Sequence, residues 1–161
     1  MGDVLLWIDY AGVAIFAITG CLVAARKKLD IVSFIFLALV TGVGGGTVRD
    51  MMLGRLPVFW VQQPAYLLDC VAVSIVMFFV AQRIHGYYKW ILWGDAMGIA
   101  VFTVSGTNIA LDAGASWSVC VAMGVFTSVV GGILRDILAG EPSLIIHREI
   151  YATACAFGAI V

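Results

Sequence analysis

The sequence predicts an all-α membrane protein built from two three-helix repeats that lie in opposite orientations. Three observations lead there: an apolar composition, six apolar stretches of membrane-spanning length, and a motif that occurs twice at a fixed spacing. Of the 161 residues, 63% are hydrophobic and 12% are charged, whereas soluble domains are about 45–50% apolar and about 25% charged. A chain this short cannot bury so much apolar surface in one water-soluble core. The bilayer must therefore solvate part of it.

Six segments are long enough to cross a hydrocarbon core, which requires about 20 helical residues. The predicted segments are Val4–Ala25, Ile31–Leu53, Ala65–Gln82, Trp90–Leu111, Trp117–Ala139 and Ile145–Val161. The first begins beside Asp3 and has no basic start, so we expect a membrane helix there rather than a cleaved signal. The sixth stops within its apolar run, and we expect it to be truncated.

Loop charges predict the orientation. The first loop carries the basic residues 26–28 and the third carries Arg83 and Lys89, whereas the second has only Arg55 and the fourth has Asp112. Basic loops remain in the cytoplasm. The odd-numbered loops are therefore predicted to be cytoplasmic and the N-terminus to lie outside.

The chain aligns with itself without a gap when residue 9 is placed on residue 95, an offset of 86. Asp9–Phe16 then matches Asp95–Phe102, and Gly45–Asp50 matches Gly131–Asp136 through the shared pattern Gly-Gly-x-x-Arg-Asp. Apolar matches alone could arise by chance between membrane helices, but coincident glycines and charges could not. The sequence predicts an internal duplication.

The duplication divides the chain into residues 1–86 and 87–161. Each repeat contributes three crossings, and an odd number of crossings reverses the direction of the next repeat. The second repeat is therefore predicted to be inverted, related to the first by a pseudo-two-fold axis in the membrane plane. The loop charges, which are an independent observation, agree.

Glycines interrupt the second and fifth segments at Gly42–Gly46 and at Gly131–Gly132. Each glycine weakens a helix by about 1 kcal/mol relative to alanine, and adjacent glycines favour kinks. We therefore predict broken helices, with freed main-chain carbonyls that must face protein or a wet cavity. Close helix packing is the alternative explanation for the glycines.

An Arg-Asp pair follows each glycine motif, Arg49-Asp50 and Arg135-Asp136. Charges at membrane depth normally face a bundle interior or water. Because neighbouring residues on a helix do not face each other, we expect each arginine to bind an aspartate of another helix or an exposed carbonyl. A stapling salt bridge near the interface is the alternative.

Residues at and around these motifs are the candidates for lining a pathway or binding an ion. They are Thr41, Gly44, Gly45, Gly46, Arg49, Asp50, Thr127, Ser128, Gly131, Gly132, Arg135 and Asp136. Further candidates are Asp69, Ser105 and Asn108. Hydroxyl groups often bond the carbonyl four residues earlier in their own helix, which would leave some of them without a role in a pathway. Asp9 and Asp95 are assigned to stabilisation of helix starts.

Other functional classes lack a signal. The four cysteines lie singly in apolar stretches, so packing is expected and a metal site is not. No nucleophile–histidine arrangement is visible, and the glycine-rich run lacks the GK[ST] ending of a phosphate loop. A net charge of −1 offers nothing to attract nucleic acid. We expect a protein that is not an enzyme and that has no cofactor.

The doubled motif, GGGTVRDMMLG at 44–54 and GGILRDILAG at 131–140, resembles the trimeric intracellular cation (TRIC) channel superfamily, and most closely its bacterial "glycine transporter" branch. The resemblance covers essentially the whole chain. It implies a homotrimer in the bacterial inner membrane, with a K⁺-conducting pore in each protomer lined by kinked helices two and five. It also implies a seventh helix beyond the chain end. The lysine motif of the animal channels is not evident at the two glycine motifs, where arginine stands instead, so regulation by anionic lipid is not implied.

Three functional hypotheses follow. The first is a passive channel for K⁺ or Na⁺, in which main-chain carbonyls replace hydration water, Asp50 and Asp136 concentrate cations, and the two arginines fix the kinks. The second is a secondary transporter of a small zwitterion such as glycine, since inverted repeats also suit alternating access. The third is a scaffold whose glycines serve assembly alone.

Overall fold

The computed structural model describes residues 2–84 and 86–141, without the side chains of residues 2–5 and of Gln82. Five long helices, labelled in chain order, are α1 Gly2–Arg26, α2 Ile31–Met52, α3 Ala65–Val80, α4 Tyr87–Asp112 and α5 Trp117–Leu138. Their bounds differ from the first five predicted segments by at most three residues. A one-turn helix, Phe59–Gln62, lies between α2 and α3 and is called the loop helix below; a 3-10 turn, Ala81–Arg83, follows α3. The predicted sixth segment lies outside the described residues.

Three of the five long helices have the length and apolar composition of membrane spans. Leu6–Arg26, Ile31–Met52 and Trp117–Leu138 are long and apolar enough to cross a bilayer, and Ala65–Val80 is a shorter apolar helix. At 26 residues α4 is the longest helix described. It also carries polar residues, among them Thr103, Thr107 and Asn108. Asp95 and Thr103 of this helix are buried in the bundle.

The two halves end their helices in the same way. Leu29 N–H donates to Ala24 O at 3.0 Å, and Ala115 N–H donates to Ala110 O at 3.1 Å. The turn residues between them, Lys28 and Gly114, both have positive φ, 55° and 74°. Each of these positions matches its counterpart at the offset of 86.

The next helix begins immediately after the first of these turns, at a capping residue. Asp30 caps α2 by accepting the main-chain N–H of Ser33 at 2.9 Å. Hydrogen bonding from Ser33 lowers the pKa of this exposed carboxyl. The cap explains why α2 starts where the sequence predicts.

Matching helices of the two halves cross each other at matching residues. The rings of Phe16 and Phe102 stack with centroids 5.3 Å apart, where α1 crosses α4. Gly98 leaves room for Phe16, since a Cβ there would lie 2.8 Å from its ring, and Gly12 leaves room for Phe102 at 3.2 Å. A pseudo-two-fold axis requires such reciprocal contacts.

The predicted breaks in the second and fifth helices are wrong. Both α2 and α5 are continuous through their glycines. The physical reason is a close crossing: a Cβ on Gly131 would lie 2.5 Å from the carbonyl oxygen of Thr41, and one on Gly45 would collide with the carbonyl oxygen of Thr127. The glycines bring two intact main chains together, as small residues do in membranes, and they do not free carbonyls.

Candidate functional site

The side chain of Arg135 lies at the centre of a buried ionic cluster. Its NH1 and NH2 groups donate to Asp95 Oδ1 and Oδ2 at 2.6 and 2.9 Å. NH1 also donates to Thr19 Oγ1 at 2.8 Å, and Nε donates to Asp136 Oδ1 at 2.9 Å. The residue has 0% exposure and Asp95 has 4%. Helices α1, α4 and α5 thus share one guanidinium, and the end of the bundle that holds this cluster is called the Arg135 end.

The depth of this cluster makes its pairing essential. Arg135 follows Gly131 by four residues, so it lies about 6 Å along the helix from the crossing with α2, given a rise of about 1.5 Å per residue. A hydrocarbon core extends about 15 Å to either side of its midplane. Charges at such a depth are costly unless they are paired. The bidentate contact with Asp95 supplies that pairing.

Arg49 occupies the matching position at the opposite end of the bundle, called the Arg49 end. Its Nε donates to Asp50 Oδ1 at 2.9 Å, and its guanidinium lies 5.6 Å from the centre of the Phe59 ring. Asp50 Oδ2 accepts the main-chain N–H of Phe59 at 2.8 Å. The carboxylate therefore joins the end of α2 to the loop helix.

The two ends differ in what the aspartate of the neighbouring helix binds. Asp9, the counterpart of Asp95, accepts hydrogen bonds from Ser105 Oγ at 2.8 Å and from Tyr66 OH at 3.0 Å. No ion pair joins Asp9 to Arg49 within the described part of the chain. The Arg135 end is thus held by an ion pair between helices, whereas at the Arg49 end hydroxyl groups take the place of the guanidinium.

A cavity of about 320 Å³ lies at the Arg49 end and is called the vestibule. It is lined by Leu6, Asp9, Arg49, Asp50, Arg55, Phe59, Gln62, Gln63, Tyr66, Ser105, Asn108, Ile109 and Asp112. Its ionisable groups are three carboxylates and two guanidinium groups, leaving one excess negative charge when all are ionised. The net charge of the vestibule lining therefore slightly favours cations.

We expect Tyr66→Phe to destabilise the Arg49 end. The variant loses a hydrogen bond to a carboxylate, worth about 1.5–3 kcal/mol, while the ring can keep its contacts with Tyr10 and Phe59. Tyr10→Phe is the matched control, because the Tyr10 hydroxyl lies 3.5 Å from Gln63 Oε1 in an exposed position. The free energy of unfolding, measured by SDS titration in detergent, should fall for Tyr66→Phe alone. Equal losses in both variants would contradict this assignment.

One predicted arginine contact is wrong and one is partly right. Both arginines do bind the aspartate beside them, because a long side chain can fold back along its own helix to reach it. Arg135 also binds Asp95 of another helix, as predicted.

The assignment of Asp9 and Asp95 to helix starts is wrong, since each carboxylate accepts side-chain donors from other helices. Their identical place in the two repeats was the signal for this role.

The remaining candidates lie in two environments. Thr41 and Thr127 are buried at the α2–α5 crossing, and each donates to the carbonyl four residues earlier, Leu37 or Met123, at 2.6 Å. Ser128 is also buried and donates to Val125 O at 2.9 Å. The candidate glycines Gly44, Gly45, Gly46, Gly131 and Gly132 are buried in the same two helices. A role in lining a pathway stays a prediction for all of them.

The three further candidates are separated by the structure. Ser105 and Asn108 both line the vestibule. Asp69 lies on α3, outside the vestibule lining, and its Oδ2 has no hydrogen-bond partner in the described ranges. The first two join the candidate site and Asp69 does not.

Comparison with known families decides the classification. A family model described as "Glycine transporter" matches residues 6–82 and 92–161. The chain belongs to the glycine transporter family. An inner membrane protein of Escherichia coli K12, UPF0126 protein YadS, is 45% identical over 156 residues, which is 96% of this chain and 75% of that protein. The UPF0126 protein YvgT of Bacillus subtilis is 34% identical over 96% of this chain and 77% of its own length.

Solved structures place this glycine transporter family member within the TRIC superfamily, as the doubled motif predicted. A TRIC trimeric intracellular cation channel orthologue from Rhodobacter sphaeroides is 51% identical with a TM-score of 0.95, covering 97% of this chain and 80% of that one. A prokaryotic TRIC channel crystallised in 0.5 M KCl is 29% identical with a TM-score of 0.94, covering 99% and 83%. Fold class and family are thereby confirmed.

Proposed function

We propose that this family member is a monovalent-cation channel that conducts K⁺, assembled as a homotrimer in the inner membrane with one pathway in each protomer. The observation that carries the proposal is the similarity to the Rhodobacter sphaeroides TRIC channel orthologue, at 51% identity and a TM-score of 0.95. That protein is described as trimeric and as a cation channel. The division into inverted repeats at residue 86 is part of the same proposal.

The proposed pathway enters at the vestibule, passes the α2–α5 crossing and leaves at the Arg135 end. The basic residues Arg26 and Lys27 lie at the Arg135 end, so this end faces the cytoplasm by the positive-inside rule. The vestibule and the N-terminus then face outward. The Arg135 cluster is proposed to close the pathway in this conformation; the full burial of Arg135 supports this proposal.

The continuous helices change the proposed chemistry of permeation. Main-chain carbonyls inside α2 and α5 are engaged in helical hydrogen bonds, so they do not form the ion's coordination shell. Water and the side chains of Asp9, Asp50 and Asn108 would solvate a cation in the vestibule. Carboxylates at a pore mouth raise the local cation concentration.

A secondary transporter of a small zwitterion such as glycine is the second candidate. The description of the matching family model favours it, and the vestibule offers both signs of charge, with Arg55 and Asp112 among its lining residues. The unequal states of the two ends also suit a carrier that opens one end at a time.

Flux into liposomes distinguishes the candidates. We expect the purified trimer to pass K⁺ and Na⁺ down their gradients, with no saturation at low concentration and no dependence on glycine. Uptake of labelled glycine that saturates and is coupled to an ion gradient would instead establish the carrier. Flux of neither solute would leave the scaffold hypothesis and refute both proposals.

A further inference from the structure

A second ion pair lies at the Arg135 end, outside the buried cluster. Arg26, the last residue of α1, contacts Glu141, which lies three residues after α5, and Lys27 Nζ lies 3.8 Å from the same carboxylate. These side chains are partly exposed. The pair connects one helix of the first repeat to the segment that follows a helix of the second repeat.

The offset of 86 gives this pair a counterpart of reversed charge. Arg26 corresponds to Asp112, the last residue of α4, and Glu141 corresponds to Arg55, three residues after α2. Acid and base have exchanged places between the repeats. Both pairs therefore combine one acidic and one basic residue, although the residue at each matching position has changed.

The main chain holds both pairs in the same way. Arg55 N–H donates to Asp50 O at 2.8 Å, and Glu141 N–H donates to Asp136 O at 2.9 Å. The preceding glycines, Gly54 and Gly140, have nearly equal positive φ values of 66° and 65°. Arg55 is therefore presented at the Arg49 end as Glu141 is presented at the Arg135 end.

The two pairs differ in state. Arg26 and Glu141 are joined, whereas Arg55 and Asp112 are exposed, line the vestibule and have no ion pair with any residue that the structure describes. The same difference separates Arg135, bound to Asp95, from Arg49, which is not bound to Asp9. The Arg135 end therefore has an ion pair between the repeats both in its buried cluster and outside it, whereas the Arg49 end has neither pair among the described residues.

We propose that Arg55 and Asp112 form an ion pair that closes the vestibule in a second conformation of the chain, the counterpart of the pair that Arg26 and Glu141 form at the opposite end in this one. The proposal rests on the proposed pathway through the vestibule. Arg55 and Asp112 are positioning residues here, because they act on the width of the vestibule. In the proposed closed conformation their opposite charges attract each other. In the conformation described above they form no ion pair with each other.

The test measures access to the vestibule directly. In a chain carrying Asn108→Cys, a charged, membrane-impermeant thiol reagent reports how often the vestibule is open, and the chain without this substitution is the blank. We expect Arg55→Glu and Asp112→Arg each to raise the labelling rate about two- to five-fold, the size expected of a partly exposed ion pair. The double variant restores complementary charges and should return to the rate of the Asn108→Cys parent.

Thermal stability supplies the matched control. Arg26→Glu and Glu141→Arg should each lower the melting temperature, and their combination should recover it, because that pair exists in this conformation. For Arg55→Glu and Asp112→Arg, the effects on the labelling rate should depend on each other, whereas the effects on the melting temperature should be independent. Additive labelling rates in their double-mutant cycle would overturn the proposal, as would a vestibule cysteine that the reagent never reaches.

Failure of the channel proposal gives a different result. Ion flux measured on the same variants would then be absent throughout, while coupled labelling rates would still establish the pair. Ion flux together with additive labelling rates would support the channel proposal and refute the proposed Arg55–Asp112 pair.

Discussion

The Asp95→Asn variant is expected to conduct K⁺ at least ten-fold faster than the unmodified chain. The substitution keeps the size of the side chain but removes the charge that binds Arg135 at 2.6 and 2.9 Å. Breaking a buried ion pair typically costs about 3–5 kcal/mol. If only about 1.4 kcal/mol of this cost falls on the closed state alone, the open-to-closed ratio rises about ten-fold. Flux from K⁺-loaded liposomes measures the change.

Asp9→Asn is the matched control for this prediction, since Asp9 has the equivalent place in the first repeat. Its carboxylate accepts from Tyr66 and Ser105, so an amide oxygen can keep one of these bonds and no buried arginine loses its partner. We expect its effect on flux to be well below that of Asp95→Asn. Equal effects, or a larger one for Asp9→Asn, would show that the Arg135 cluster is not what closes the pathway.

Gly45→Ala is expected to prevent assembly of the native bundle. A Cβ at this position would collide with the main-chain carbonyl of Thr127, which cannot move without shifting α5. Overpacking a core costs about 1–3 kcal/mol, and a rigid helix backbone places this case at or above the upper limit. The yield of monodisperse protein in size-exclusion chromatography and the free energy of unfolding should both fall sharply.

The neighbouring glycine provides the control. A Cβ on Gly44 would lie 3.1 Å from Leu134 Cδ1, the flexible end of a side chain, and 3.9 Å from Gly131 Cα. Gly44→Ala should therefore assemble with a loss of stability below about 1 kcal/mol, because the leucine can turn away. If Gly45→Ala assembled as well as Gly44→Ala, the close crossing of α2 and α5 would be wrong.

The positions of the five described long helices and the family were predictable from the sequence, because length, composition and repetition are sufficient for them. The 22-residue apolar stretch of α2 and its Asp30 cap determine its bounds locally. The doubled Gly-Gly-x-x-Arg-Asp identified the relatives. The loop helix was missed, since Phe59–Gln62 is held by tertiary bonds, from Phe59 N–H to Asp50 and from Trp60 Nε1 to Thr47, which have no periodic signal.

The continuity of α2 and α5 through their glycines was not predictable from local helix propensity. A run such as Gly42–Gly46 weakens a helix in isolation, but packing against α5 stabilises it in the bundle. The arginine contacts failed for a related reason. The rule that adjacent residues do not face each other holds for short side chains, whereas the arginine side chain reaches Asp136 and Asp95 together. The role of Tyr66 had no signal, because its partner Asp9 lies 57 residues away.

Single-channel recording of the purified protein in a planar bilayer with K⁺ on both sides tests the central claim most directly. The claim is that each protomer holds its own cation pathway, closed in this conformation by Arg135 and Asp95. It predicts discrete K⁺ currents in up to three equal levels, with Asp95→Asn lengthening the open intervals. Currents of a single indivisible level, or none from a trimer that takes up glycine saturably, would contradict it.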